Sequence, residues 1–170
     1  MHQGWVSALN AQPSEAVRLI TSGMDTRELT GATVWIPFFL SHLARAYTTL
    51  GNFEDARRSI RKAITTVERT KEAWCEAEVH RTAGEIMLPA PERDAAKAEA
   101  YFNHALTVAQ GQQAKTWELR AAMSMARLWR DQGKPQQARE LLAPIYGWFT
   151  EGFDTRDLKE AKALLDALSS

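Results

Sequence analysis

The chain has 170 residues, 45% apolar and 25% charged, enough to bury a core without disulfide or metal staples. Its 21 basic and 21 acidic residues cancel, which removes any global attraction to nucleic acid or anionic lipid, so neither partner is expected. Cys75 is the only cysteine, so no intrachain disulfide can form and a cytoplasmic location is expected, while the longest apolar run, Val34 to Leu40 with Pro37 inside it, falls far short of the ~20 residues of a membrane helix.

Apolar residues recur at helical spacing nearly everywhere and no useful length alternates with period two, which predicts an all-α chain. Residues Met1 to Ala11 lack the cationic start and apolar run of a signal peptide. A first repeat, about 1–31, is thin: it has Gly4 and Ser7 where later copies have Ala44 and Tyr47, or Gly84 and Met87. Its first helix is cut short by Met1, so this edge is read as frayed, as the end of something longer, or as a surface for self-association.

The second repeat, about 32–70, opens with a stripe of Leu40, Leu43, Ala44 and Tyr47 on a helix closing at Leu50 and Gly51. Asn52 is placed to cap the next helix, which starts near Phe53 and buries Ala56, Ile60, Ala63 and Ile64. The third repeat, about 71–112, replaces the compact glycine turn with Leu88-Pro89-Ala90-Pro91-Glu92, two residues longer. In the fourth, about 113–150, Ala122, Met125, Ala126 and Trp129 are followed by Gly133, Pro135 at a first helical turn, and Ala138, Leu142 and Ile145. That helix is expected to bend at Pro144 and run past Trp148 to about Thr150. Gly152 then breaks the chain, Asp154 or Thr155 caps, and Leu158, Ala161, Leu164, Leu165 and Leu168 make a capping helix over 154–169. It is expected to cover the fourth hairpin, with Trp148 as a wedge.

These copies are in register. Gly4, Ala44, Gly84 and Ala126 stand 40, 40 and 42 residues apart, and Ala16, Ala56, Ala98 and Ala138 stand 40, 42 and 40 apart. Ile20, Ile60, Phe102 and Leu142 keep the same step, as do Gly23, Ala63, Ala105 and Ile145. Fixed-period self-similarity marks a solenoid of about four hairpins forming one domain. A ~40-residue step alone suits HEAT or armadillo arrays, but the code inside each copy is the tetratricopeptide one: large-small-aromatic on the first helix, small-large-small on the second. Surplus residues at Met24 to Trp35, Val67 to Trp74 and Gln110 to Trp117 predict lengthened helices. The expected fold is a right-handed, all-α tetratricopeptide-like superhelix with a C-terminal cap.

The stretch from Trp117 to Leu165, WELRAAMSMARLWRDQGKPQQARELLAPIYGWFTEGFDTRDLKEAKALL, resembles the C-terminal end of large bacterial signalling proteins. In those, a class III adenylate or guanylate cyclase or a winged-helix domain precedes an AAA-type ATPase and long tetratricopeptide repeats. The likeness extends back through GATVWIPFFLSHLARAYTTLGNFEDA. It implies a regulatory or partner-sensing part; no GxxxxGK[ST] phosphate loop is present, so the ATPase part is absent. The competing reading is a fragment sharing its parent's cyclase or ATP-binding activity.

Individual residues offer little chemistry. His2, His42, His80 and His104 make no i, i+4 pair and no carboxylate is read at ligand spacing, so no metal site is expected; His80 reads as a hydrogen-bonded core residue. Cys75 has no base within a turn, and Glu76, Glu78 and Glu85 read as solvated or ion-paired, so neither catalysis nor a cofactor is expected. Trp35, Trp74 and Trp117, at 39 and 43 residues, read as packing between hairpins. The candidate site is the concave face of the first helices: Phe38, Ser41 and Arg45, then Glu78, Arg81 and Glu85, then Arg120, Met123, Arg127 and Arg130. Five arginines against two glutamates would suit an extended or helical peptide with acidic groups, since guanidinium pairs carboxylates bidentately; a self-paired, solvated face is the alternative.

Overall fold

A computed structural model describes residues 12–28, 34–71 and 73–169. The helices are α1 (Pro13–Glu28), α2 (Ile36–Thr49), α3 (Phe53–Thr70), α4 (Glu76–Met87), α5 (Ala95–Gly111), α6 (Lys115–Asp131), α7 (Pro135–Gly147) and α8 (Arg156–Ala167), with a 3-10 turn at Ala73–Cys75 before α4. No strand occurs among the described residues. Gly4, Ser7 and Trp5 of the thin first copy, and with them the edge read as self-associating, lie outside the described residues.

Three hairpins, α2/α3, α4/α5 and α6/α7, stack so that each first helix also touches the next, α2 on α4 and α4 on α6. This is an all-α, tetratricopeptide-like solenoid. The reason is visible in the ladders: Ala56, Ala98 and Ala138 are at most 1% exposed where paired helices approach, while Ile60, Phe102 and Leu142, at most 2% exposed, fill the space between. Burying each such large side chain stabilises the fold by about 1.5–3 kcal/mol. Gly23 breaks its ladder, because it is exposed and nothing lies within 4 Å of its position for a side chain.

Turn chemistry separates the hairpins. Gly51 and Gly133 both take left-handed backbone, φ 78 and 75, which closes α2 and α6 compactly. Asn52 stands at the N-cap of α3 without a capping side-chain bond; Glu54 and Asp55 in the first turn oppose the helix dipole instead. The long third turn is closed by Asp94, whose carboxylate accepts from the Lys97 N–H at 2.8 Å. Here Gly84 is a packing requirement: a Cβ on it would lie 2.5 Å from Phe102 Cε1 and 2.9 Å from the Ala98 carbonyl oxygen. The lengthening falls unevenly, with 18, 17 and 17 residues in α3, α5 and α6 but only 12 in α4.

The C-terminal end corrects two expectations. Helix α7 passes through Pro144 but stops at Gly147, short of Thr150. Trp148 is 58% exposed, with Lys115 Nζ 5.6 Å above its ring, and is not part of the terminal core; Tyr146 and Phe149 pack there instead. Thr155 occupies the N-cap of α8, yet its hydroxyl donates backward to the Gly152 carbonyl at 2.7 Å. Leu158, Ala161 and Leu164 of α8 are buried against α6 and α7, so α8 sits where the first helix of a further hairpin would stand.

Candidate functional site

The first helices line a groove of about 480 Å³. Ala16 and Ile20 of α1 form one end, Arg45 and Ala46 come from α2, Glu78, Arg81 and Glu85 from α4, Arg120, Met123 and Arg127 from α6, and Arg156, Asp157 and Glu160 of α8 form the other end. The i, i+3, i+4, i+7 spacing of a helix brings these side chains to one side of each element. Seven of the ten residues proposed from sequence meet here.

The other three do not. Phe38 is 9% exposed and packs its ring 4.5 Å from His42 and 5.3 Å from Trp74, while Ser41, 1% exposed, donates to the Phe38 carbonyl at 2.7 Å. Both belong to the core: Phe38 turns toward Trp74 of the 3-10 turn rather than the groove, and Ser41 is buried one turn on. Arg130, at the end of α6, folds onto its neighbour Asp131 at 2.9 Å. Trp35 and Trp74 meet across the same junction with ring centroids 4.4 Å apart and planes tilted by 60°.

The expected basic excess is also corrected, because Asp157 and Glu160 reach in from α8. Arg120 Nε donates to Asp157 Oδ2 at 2.8 Å, Arg127 Nη2 to Glu160 Oε2 at 3.1 Å, and Arg156 Nε to Glu160 Oε1 at 2.7 Å. At the centre, Arg81 Nε and Nη2 donate to the two oxygens of Glu78 at 2.7 and 2.6 Å, and Arg81 Nη1 also reaches Glu85. Ser124 of α6 accepts from Arg81 at 3.2 Å and donates to Glu85 at 2.9 Å, tying α4 to α6. Burial alone would raise the Glu78 carboxyl, but Arg81 foremost, then Arg120 and Arg45, hold it below the ordinary carboxylate value. Of the arginines lining the groove, Arg45 is the least engaged: it is 46% exposed, and its nearest carboxylate oxygens lie at 3.9 and 4.0 Å.

His42 stands beside this network with Nε2 buried and without a hydrogen-bond partner among the described residues. Desolvation pushes it down to about 4, with Arg45, Arg81 and Arg120 adding to the effect and Glu78 opposing it. His80, expected to be hydrogen-bonded, likewise leaves Nδ1 buried and unpartnered among the described residues. Burial, and then His104, lower it to about 4. The expectation of no carboxylate at ligand spacing is overturned: Glu76 lies one turn before His80, and one ligand atom each of Glu76, His80 and His104 falls within 4.8 Å of the others. The i, i+4 carboxylate–histidine spacing was legible in the sequence; His104, from the paired helix, was not.

Two family models described as tetratricopeptide repeat match this chain, one over residues 40–70 and one over 119–144. The chain carries a tetratricopeptide-repeat region. The first match spans most of α2 and all of α3, the second most of α6 and most of α7, the two hairpins with compact glycine turns. Neither match reaches α4 and α5, which share the tetratricopeptide plan but have the longer turn at 88–94. No curated protein sequence matches the chain. Tetratricopeptide repeats are, as a class, protein-binding modules with extended concave surfaces. Among the described residues, no helix is long and apolar enough to cross a membrane.

Proposed function

We propose that this region is a non-catalytic adaptor that holds a peptide segment of a protein partner in the groove, with acidic groups of the peptide on Arg45 and Arg127. The observation that carries the reading is the groove itself: first helices of three successive hairpins line it, and Arg45 stands there with its donors only loosely used. Ala16, Ile20 and Ala46 give the α1 end an apolar floor, which suits a peptide with an apolar residue next to its acidic one. The likeness of residues 117–165 to cyclase and ATPase signalling proteins favours a regulatory setting for this adaptor.

Arg81 makes a poor probe, since removing it strands the buried Glu78. The test is a random-peptide display selection on the immobilised chain, followed by affinity measurement on wild type and Arg45→Glu. Enriched peptides should carry Asp or Glu and bind the variant at least tenfold more weakly. Equal binding to both proteins would reject the groove reading. ATP hydrolysis by the purified chain would favour the enzymatic alternative.

A further inference from the structure

Glu76 and His80 lie on the side of α4 opposite Glu78, Arg81 and Glu85, so they face away from the groove and toward α5. His104 of α5 meets them there. Its ring centroid is 4.1 Å from that of His80, and its Nε2 is 3.8 Å from Glu76 Oε1. We propose that Glu76, His80 and His104 form a binding site for a divalent transition metal of the zinc class, which staples α4 to α5 in the third hairpin.

Two imidazoles and one carboxylate make a donor set that suits zinc and leaves a fourth position for water; magnesium and calcium prefer oxygen ligands throughout. Buried polar atoms normally have a partner, and the His80 imidazole keeps Nδ1 buried without one among the described residues, so this ring is not already committed through that nitrogen to a hydrogen bond. Donors around a tetrahedral zinc, each ~2.0–2.1 Å from the metal, stand about 3.3 Å apart. The three donors, within 4.8 Å of one another, therefore close by at most about 1.5 Å on binding. His104 supplies that movement, because its side chain is 51% exposed and unconfined by the core. The site lies at the end of the hairpin remote from the 88–94 turn, where Gln112 Nε2 already donates to the Ala73 carbonyl at 2.7 Å.

The test is calorimetric titration of the untagged full chain with zinc chloride at neutral pH, with thermal melting followed in parallel. Wild type should take up one equivalent and melt at a higher temperature, and magnesium chloride should do neither. His104→Ala changes an exposed side chain and leaves the fold in place, as its own melting curve will report. It should bind zinc at least tenfold more weakly and lose the melting shift, with Glu76→Gln weakened in the same sense. A wild type that takes up no stoichiometric zinc in the micromolar range, or a His104→Ala protein that binds as tightly as wild type, overturns the site.

Discussion

Arg81 holds both carboxylate oxygens of Glu78, at 2.7 and 2.6 Å, in a pair where the residues are only 6% and 3% exposed. Such a pair is worth little relative to apolar residues of equal volume, but breaking it leaves one charge buried and uncompensated. Arg81→Met is therefore expected to destabilise the protein by about 3–5 kcal/mol in urea denaturation. The double variant Glu78→Leu, Arg81→Met should recover most of that loss. A single variant as stable as wild type would mean that water reaches Glu78.

His42 predicts an acid-sensitive fold. Burial pushes its pKa down to about 4 in the folded chain against 6.5 for the free side chain, so the unfolded chain takes up the proton first as pH falls. The stability it contributes is complete above pH 6.5 and is lost progressively down to about pH 4, roughly 3 kcal/mol for such a shift. Glu78, held below its ordinary value, acts in the same direction at lower pH. His42→Leu should be as stable as wild type at pH 7.5, because no hydrogen bond to Nε2 is lost among the described residues. Urea midpoints measured from pH 7.5 to 4 should fall less steeply for this variant; parallel curves would refute the assignment.

Gly84 and Phe102 set the spacing of α4 and α5. An added methyl would overlap Phe102 ring carbons at 2.5 and 2.7 Å and crowd the Ala98 carbonyl, so Gly84→Ala should cost about 1–3 kcal/mol. Adding Phe102→Leu should relieve only part of the strain, since the carbonyl contact remains. Thermal melting of the single and double variants decides this.

Leu142 and Trp148 invert the ordinary expectation that the larger residue matters more. Leu142 is fully buried and its change to Ala should cost about 2–5 kcal/mol, whereas Trp148, 58% exposed, should tolerate Ala within about 0.5 kcal/mol. Comparable losses for the two variants would place Trp148 in an interface.

Asp157 and Glu160 compete with any acidic ligand for Arg120 and Arg127. These pairs are partly exposed, so Asp157→Asn with Glu160→Gln should change stability by no more than about 1 kcal/mol per pair. Selected acidic peptides should bind the double variant more tightly by fluorescence anisotropy. Unchanged or weaker binding would show that the carboxylates of α8 do not restrain the groove.

The ladders Ala56–Ala98–Ala138 and Ile60–Phe102–Leu142 were enough to define the hairpins and their class, because close approach of two helices admits only small residues at one position and demands large ones at the next. Gly51 and Gly133 placed the turns for an equally local reason, the left-handed backbone. The charge of the groove depended instead on α8: Asp157 and Glu160 lie 37 and 33 residues from the arginines they meet, and no periodicity within a repeat specifies where a terminal helix docks. Phe38 and Ser41 were assigned to the groove by helical phase alone, whereas the packing of Phe38 on Trp74 of the 3-10 turn draws that part of α2 into the core. His104 came to Glu76 and His80 by the same route, since side chains on two antiparallel helices meet through packing, and only tertiary structure sets that register.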